Sequence, residues 1–133
     1  MSITGILLGI HSILRYLVLL AALVVIIKYA IGWLANQEYT PLDRTLKNIF
    51  VNLFVVQVLI GFVLFFVDWN TDAMAVRGEH LVTMLIAVFI AAQGARWNKI
   101  DDSTLKFRNN FIVITLSFIF ILLGVWRVAG SIL

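Results

Sequence analysis

Four stretches of the 133-residue sequence are each long and apolar enough to cross a lipid bilayer. A transmembrane α-helix needs about 20 predominantly apolar residues, and the stretches that meet this requirement are residues 8–34, 47–68, 77–97 and 109–129. Hydrophobic residues make up 62% of the chain, and a soluble domain of this length could not bury so much apolar surface. We therefore predict an all-α integral membrane protein with a single transmembrane domain, residues 1–133.

The three connections between these stretches are short and polar, so consecutive spans should run antiparallel. Thr40-Pro41 disfavours helix in the first connection, and residues 68–72 form a turn cluster in the second. The third offers three possible helix N-caps, Asp101, Asp102 and Ser103. The expected architecture is an up-down-up-down four-helix bundle in which the first and third spans are parallel and diagonal. A similar order of polar residues and glycines in the two halves indicates two repeated hairpins.

Lys and Arg are distributed unevenly between the two sides of this predicted bundle. One side holds only Arg77 and Arg127, and Arg15 lies within a span. The other side holds Lys28, Arg44, Lys47, Arg96, Lys99, Lys106 and Arg108. Because cytoplasmic connections carry the excess of Lys and Arg, we expect the first and third connections in the cytoplasm and both termini on the outer side.

Residues that face the bundle interior should be small or polar, since such residues mediate helix association in lipid. Each span carries one stripe of this kind at helical spacing. The four stripes are His11, Arg15, Val18, Ala22, Val25 and Tyr29; Gln57, Gly61, Leu64 and Asp68; His80, Met84, Ala87, Ala91 and Gly94; and Asn110, Val113, Ser117, Phe120, Gly124 and Arg127.

The two histidines of the sequence, His11 and His80, open the stripes of the first and third spans. Two inward imidazoles at similar depth on diagonal helices could bind the two faces of one b-type haem. Gly61 and Gly124 lie near the same depth in the other two spans, where the missing side chains would leave room for the porphyrin. The predicted cofactor is therefore a single haem b with His11 and His80 as the iron ligands.

Three arginines are candidates for binding the haem propionates. Arg77 and Arg127 lie close to the outer surface, where a guanidinium can pair with a carboxylate, although snorkelling to the lipid headgroups explains them equally well. Arg15 lies one turn deeper than His11, and an arginine within a span normally has a partner. Glu79 or a propionate is the expected partner of Arg15, and pairing with Arg15 or Arg77 is the simplest role for Glu79.

Three short motifs extend over nearly the whole chain: His11-Ser12-x-Leu14-Arg15-Tyr16, Leu59-Ile60-Gly61, and Glu79-His80 followed by Met84. Together they resemble a family of small bacterial four-span membrane proteins that are often labelled cytochrome b-like. The resemblance implies haem ligation by His11 and His80, a redox or accessory role, and a place in the bacterial inner membrane. The larger di-haem cytochromes b carry a second histidine pair near the opposite face, and this chain has none.

A single haem near the outer side cannot by itself carry electrons across the membrane. The sequence therefore predicts a non-catalytic electron carrier that passes electrons locally, to a quinone or to an adjacent membrane subunit. No nucleophile triad or phosphate-binding loop is present, and the basic residues form no single patch for nucleic acid.

Three other functions remain open at this stage. The chain could be a non-redox accessory subunit of a respiratory or photosynthetic complex, with Gly5 and Gly9 as a GxxxG docking face. Met84 with Glu79 near His80 could bind copper, although Met is also common core filler. A transporter or channel is the third, and the four spans show no broken helix or acidic ring to support it.

Overall fold

The computed structural model describes residues 2–69 and 73–129, and it is helical with no strand in these ranges. Its helices are α1 (Ile3–Leu34), α2 (Pro41–Val67), α3 (Met74–Ala92) and α4 (Ser103–Ala129), with a short 3-10 helix, Gln93–Trp97, continuing α3. All four are long and apolar enough to cross a membrane. The predicted all-α membrane fold is confirmed. Of the predicted second turn cluster, residues 70–72 lie outside the described residues.

The helices surround one core in chain order, so that each packs against two neighbours. Contacts join α1 to α2 and α4, and they join α3 to α2 and α4. Neither diagonal pair, α1 with α3 or α2 with α4, has Cα atoms within 8 Å in the described part of the chain. The first and third spans are therefore diagonal, as the sequence predicts.

Local sequence explains where the helices begin and end. Asn36 adopts the left-handed conformation (φ 57°), and the Gln37 amide donates to the Gly32 carbonyl at 2.9 Å, which is the Schellman arrangement that ends α1. Thr40 precedes α2, with Pro41 as its first residue, and the Thr40 amide donates to the carboxylate three residues later. Asp102 caps α4 by accepting from the Leu105 amide at 3.2 Å.

The predicted inward stripes of α1, α2 and α3 largely match the buried faces. In the stripes of α1 and α3, the buried residues are Val18, Ala22, Val25 and Tyr29 of α1, Met84, Ala87 and Ala91 of α3, and Gly94 of the 3-10 helix that follows α3. In α2 the stripe is buried at Gln57 and Leu64, whereas Asp68 at the helix end is exposed.

Three of the six residues of the predicted α4 stripe are buried, namely Asn110, Ser117 and Gly124. Ile114 and Ile121 are buried, whereas the predicted neighbours Val113 and Phe120 are only partly buried, and the Arg127 side chain is 49% exposed. The buried positions keep the 3-4 spacing of the predicted stripe, but the order of the steps after Asn110 is reversed, which buries Ile114 and Ile121. Arg127 lies near the end of α4, where its side chain leaves the interior and pairs with Glu79.

One end of the bundle is closed by a polar cluster that we call the clasp, formed by Lys28, Tyr29, Tyr39 and Asp43. The Lys28 ammonium pairs with the buried Asp43 carboxylate at 2.5 Å. The Tyr29 hydroxyl donates to the Asp43 backbone carbonyl at 2.7 Å and accepts from Tyr39 at 2.7 Å. Because the Tyr39 amide also donates to Ser103 at 2.9 Å, the clasp ties α1, the first connection, α2 and α4 together.

Replacing Asp43 by Ala should destabilise the bundle, because the change removes the Lys28 ion pair and the cap of α2. Losing a buried acceptor of this kind costs about 1–3 kcal/mol, which thermal unfolding of the purified protein in detergent would measure as a lower Tm. Glu38→Ala is the matched control, since Glu38 is an exposed acidic residue of the same connection. Equal Tm values for the two variants would contradict a stabilising role of the clasp.

Candidate functional site

The opposite end of the bundle contains a cavity of about 280 Å³ among all four helices. It lies where α1 and α3 begin and where α2 and α4 end. Val18, Phe54 and Met84 form its inner wall, and Leu8 and Asp68 lie toward its mouth. The lining is mostly apolar with a few polar side chains, as is usual for a small-molecule site.

The cavity brings together most of the residues that the sequence singles out. His11, Arg15, Gly61, Arg77 and His80 all line it. The two remaining candidates differ. Gly124 is buried beside the His80 ring, and its backbone carbonyl oxygen is a hydrogen-bond partner of that ring. Arg127 lies with Glu79 in a separate outer groove between α3 and α4.

His80 is held by α4 in one orientation and one tautomer. Its Nδ1 lies 3.0 Å from the carbonyl oxygen of Gly124. Because a carbonyl only accepts, Nδ1 must carry the proton, and Nε2 keeps its lone pair. A ring nitrogen fixed in this way is how proteins prepare a histidine to bind a metal through the other nitrogen.

Helix α2 contacts His11 at two places, the backbone carbonyl of His11 and one edge of its ring. The Gln57 amide nitrogen donates to the His11 carbonyl oxygen at 2.7 Å. One turn later in α2, a Cβ on Gly61 would lie 3.0 Å from His11 Cε1, so only glycine leaves the ring its present position. His11 Nδ1 is buried and has no hydrogen-bond partner among the described residues.

In both hairpins the histidine of the first helix lies beside a glycine of the second helix. His11 of α1 packs on Gly61 of α2, and His80 of α3 packs on Gly124 of α4, where a Cβ would lie 3.6 Å from His80 Nδ1 and would meet the Met84 methyl group. This correspondence agrees with the two-hairpin repeat that the sequence indicates. The contact with glycine is tight only for His11, because at Gly124 it is the Met84 methyl group and not the His80 ring that a Cβ would displace.

The three candidate arginines have different partners. Arg77 donates to the Asp68 and Leu64 carbonyl oxygens at the end of α2, the latter at 3.0 Å. Arg127 pairs with Glu79 at 2.6 Å, so the expected pairing of Glu79 with Arg15 or Arg77 is wrong. The reason is position: Glu79 is exposed on the side of α3 toward α4 and away from the cavity.

Arg15 has little to bind inside the protein. Its guanidinium donates to the neighbouring Tyr16 hydroxyl at 3.1 Å and lies 4.8 Å from the centre of the Tyr16 ring. Its Nε is buried and has no partner in the described ranges. Of the two arginines in the cavity, Arg15 is thus the one that makes no hydrogen bond to another helix in the described part of the chain.

Gln57 also lines the cavity, whereas the sequence predicts only that it lies on the inward stripe of α2. Its Oε1 is buried and without a partner in the described part of the chain. A glutamine in a membrane span is costly unless it is hydrogen-bonded, and that cost was the signal available in the sequence.

Aromatic and aliphatic side chains separate the cavity from the clasp. Phe50, Phe54 and Val25 are at most 1% exposed and fill the bundle between the two ends. Within residues 2–69 and 73–129, no group of three or more His, Cys, Asp and Glu side chains comes together as a metal site. The polar chemistry of the cavity is therefore confined to one end of the bundle.

In comparisons with known proteins, no protein-family model, no curated protein and no solved structure matches the chain.

Replacing Gly61 by Val should destabilise the protein, because the new side chain would occupy the space of the His11 ring. Overpacking of this kind costs about 1–3 kcal/mol and would lower the Tm in detergent. Gly78→Val is the matched control, since nothing lies within 4 Å of a Cβ on Gly78. Equal Tm values for Gly61→Val and Gly78→Val would contradict close packing of Gly61 against the His11 ring.

Proposed function

We propose that the cavity binds one b-type haem between His11 and His80, and that the protein is a membrane electron-transfer protein or subunit. The observation that carries the proposal is the pair of imidazoles from diagonal helices that line one cavity, each packed on a glycine. Bis-histidine ligation requires a neutral nitrogen from each side of the macrocycle.

The donor set fits this group in three respects. His80 has its Nδ1 bonded to a carbonyl, which leaves Nε2 as the ligand atom. His11 has a buried Nδ1 without a partner, so its ring is not committed to another contact within the described residues. Arg15 and Arg77 provide positive charge for the propionates on an otherwise largely apolar wall.

A bound haem would supply reversible one-electron chemistry. The protein's own residues would set its conditions. His11 and His80 would hold it at one end of the bundle, and Leu81, Val58 and Ile121 would exclude water from its faces. The apolar core around Phe50 and Phe54 offers no second ligand pair, so electron transfer would be local and not across the membrane.

The proposed setting is the bacterial inner membrane, with both termini on the outer side. The unequal distribution of Lys and Arg supports this orientation. It would put the cavity near the outer surface and the clasp near the cytoplasm. A quinone or a neighbouring redox subunit at the outer side would then be the partner for electrons.

A reduced-minus-oxidised visible spectrum of the purified full-length protein tests the proposal directly. We expect a b-type α-band and a pyridine haemochrome close to one haem per chain. His11→Ala and His80→Ala should each lose most of the bound haem, and added imidazole should restore part of it by replacing the missing ligand. A Met84→Leu variant keeps both histidines and should retain haem. A purified wild-type protein without an α-band, which also takes up no added haemin, would refute the proposal.

A second candidate function is a non-redox accessory subunit of a larger respiratory or photosynthetic complex. Its support is the surface near the start of α1, where nothing lies within 4 Å of a Cβ on Gly9. Large apolar residues such as Ile6 and Ile13 are exposed beside it. A helix of another subunit could approach closely there.

The histidine variants separate the two candidates in cells. If the protein is only an accessory subunit, replacing both His11 and His80 by Ala leaves assembly and electron-transfer rate unchanged, whereas Gly9→Leu impairs assembly. If it is an electron carrier, the double variant greatly lowers the rate while the protein still accumulates in the membrane. Native gel electrophoresis and respiration measurements give the two readouts.

A further inference from the structure

The cavity lining carries more positive than negative charge, and neither of its two arginines forms an ion pair within the described residues. Arg77 is already bound to backbone carbonyls at the end of α2. Arg15 reaches only the Tyr16 hydroxyl, and its buried Nε has no partner among the described residues. Asp68 is the acidic residue of the cavity lining, and it is exposed at the mouth.

An uncompensated arginine at this depth is energetically unfavourable. Arg15 lies four residues, or about one helical turn, further into α1 than His11. A charged side chain within a membrane span is costly and usually pairs with another charge or lines a polar cavity. Apolar residues that line the same cavity, such as Val18 and Phe54, lower the local dielectric and so strengthen any ion pair formed there.

We propose that the natural ligand of this cavity carries a carboxylate group on an apolar body, and that Arg15 binds this carboxylate. A guanidinium presents its Nε and Nη hydrogens as a fork that matches the two oxygens of a carboxylate. The apolar wall formed by Leu81, Ile121 and Val125 receives the rest of the molecule. Haem, through its propionates, and a long-chain fatty acid share this chemistry.

This inference deepens the proposed function and rests on it only where the ligand is haem. It also distinguishes among the three arginines that the sequence offers as propionate partners. Arg127 is neutralised by Glu79 outside the cavity, and Arg77 is engaged by α2. Arg15 alone combines a place in the cavity with an unpaired buried nitrogen.

Esters of the two ligand types test the inference, because esterification removes the carboxylate charge and leaves the apolar body. The full-length protein in lipid nanodiscs is titrated with haemin, haemin dimethyl ester, oleic acid and methyl oleate, and the Kd of each is measured by calorimetry. The wild type should bind at least one free acid about 10- to 100-fold more tightly than its ester, the range expected for a hydrogen bond to a charged group.

Three variants assign the effect to Arg15. Arg15→Gln should abolish the preference for the free acid, and Arg15→Lys should keep part of it, because the charge remains but the fork is lost. Arg96→Gln removes an exposed arginine at the opposite end of the bundle and should keep the full preference. If Arg15→Gln does not fold, as judged by its Tm, the acid and ester pairs on the wild type still test the need for a carboxylate.

The outcomes separate this inference from the haem proposal. Equal binding of haemin and its dimethyl ester through the histidines would keep the haem and overturn the carboxylate, provided oleic acid also shows no preference. An Arg15-dependent preference for oleic acid without haemin binding would keep the carboxylate and overturn the haem. A preference that persists in Arg15→Gln, or no binding of any of the four ligands, would overturn the inference.

Discussion

Side chains that donate to a backbone carbonyl of the neighbouring helix hold each hairpin of this bundle in register. Gln57 of α2 donates to the carbonyl of His11 in α1 at 2.7 Å, and Ser117 of α4 donates to that of Ala87 in α3 at 2.7 Å. Lipid gives little hydrophobic drive for helix association, so such bonds, at about 0.6–1.7 kcal/mol each, matter for packing. Because a backbone carbonyl cannot rotate away, each bond sets the depth of one helix against the next.

The position of the histidines follows from this register. Once Gln57 fixes α2 against α1, Gly61 lies beside the His11 ring, and the equivalent register of α3 and α4 sets the Gly124 carbonyl beside His80. Larger residues at either glycine would separate the helices where the rings now sit. The clasp then closes the other end, where the Asp43 carboxylate is bound by Lys28 and Thr40. One end of the bundle is therefore closed by an ion pair and hydrogen bonds, and the other contains the cavity.

Much of this arrangement is predictable from the sequence, because span length and helical spacing determine which residues face inward. The diagonal relation of the histidine helices also follows from short connections. The arginine contacts are not predictable in this way. A side chain as long as Arg77 or Arg127 reaches over a full turn, so its partner depends on the angle between helices and on competing carbonyls. The choice between Val113 and Ile114 as the buried residue of α4 likewise depends on how the helix is rotated, because both are apolar and adjacent in the sequence.

The distribution of unpaired polar atoms is the strongest sign that the cavity is a site and not a packing defect. Five buried side-chain atoms of the described residues lack hydrogen-bond partners, and those of His11, Arg15 and Gln57 all belong to the cavity lining. A cavity left by imperfect packing would be lined by apolar atoms, as empty cavities in proteins are. Leaving a polar group buried and unpaired costs about 1–3 kcal/mol. Three such atoms in one cavity are therefore accounted for most simply by a ligand that supplies their missing partners.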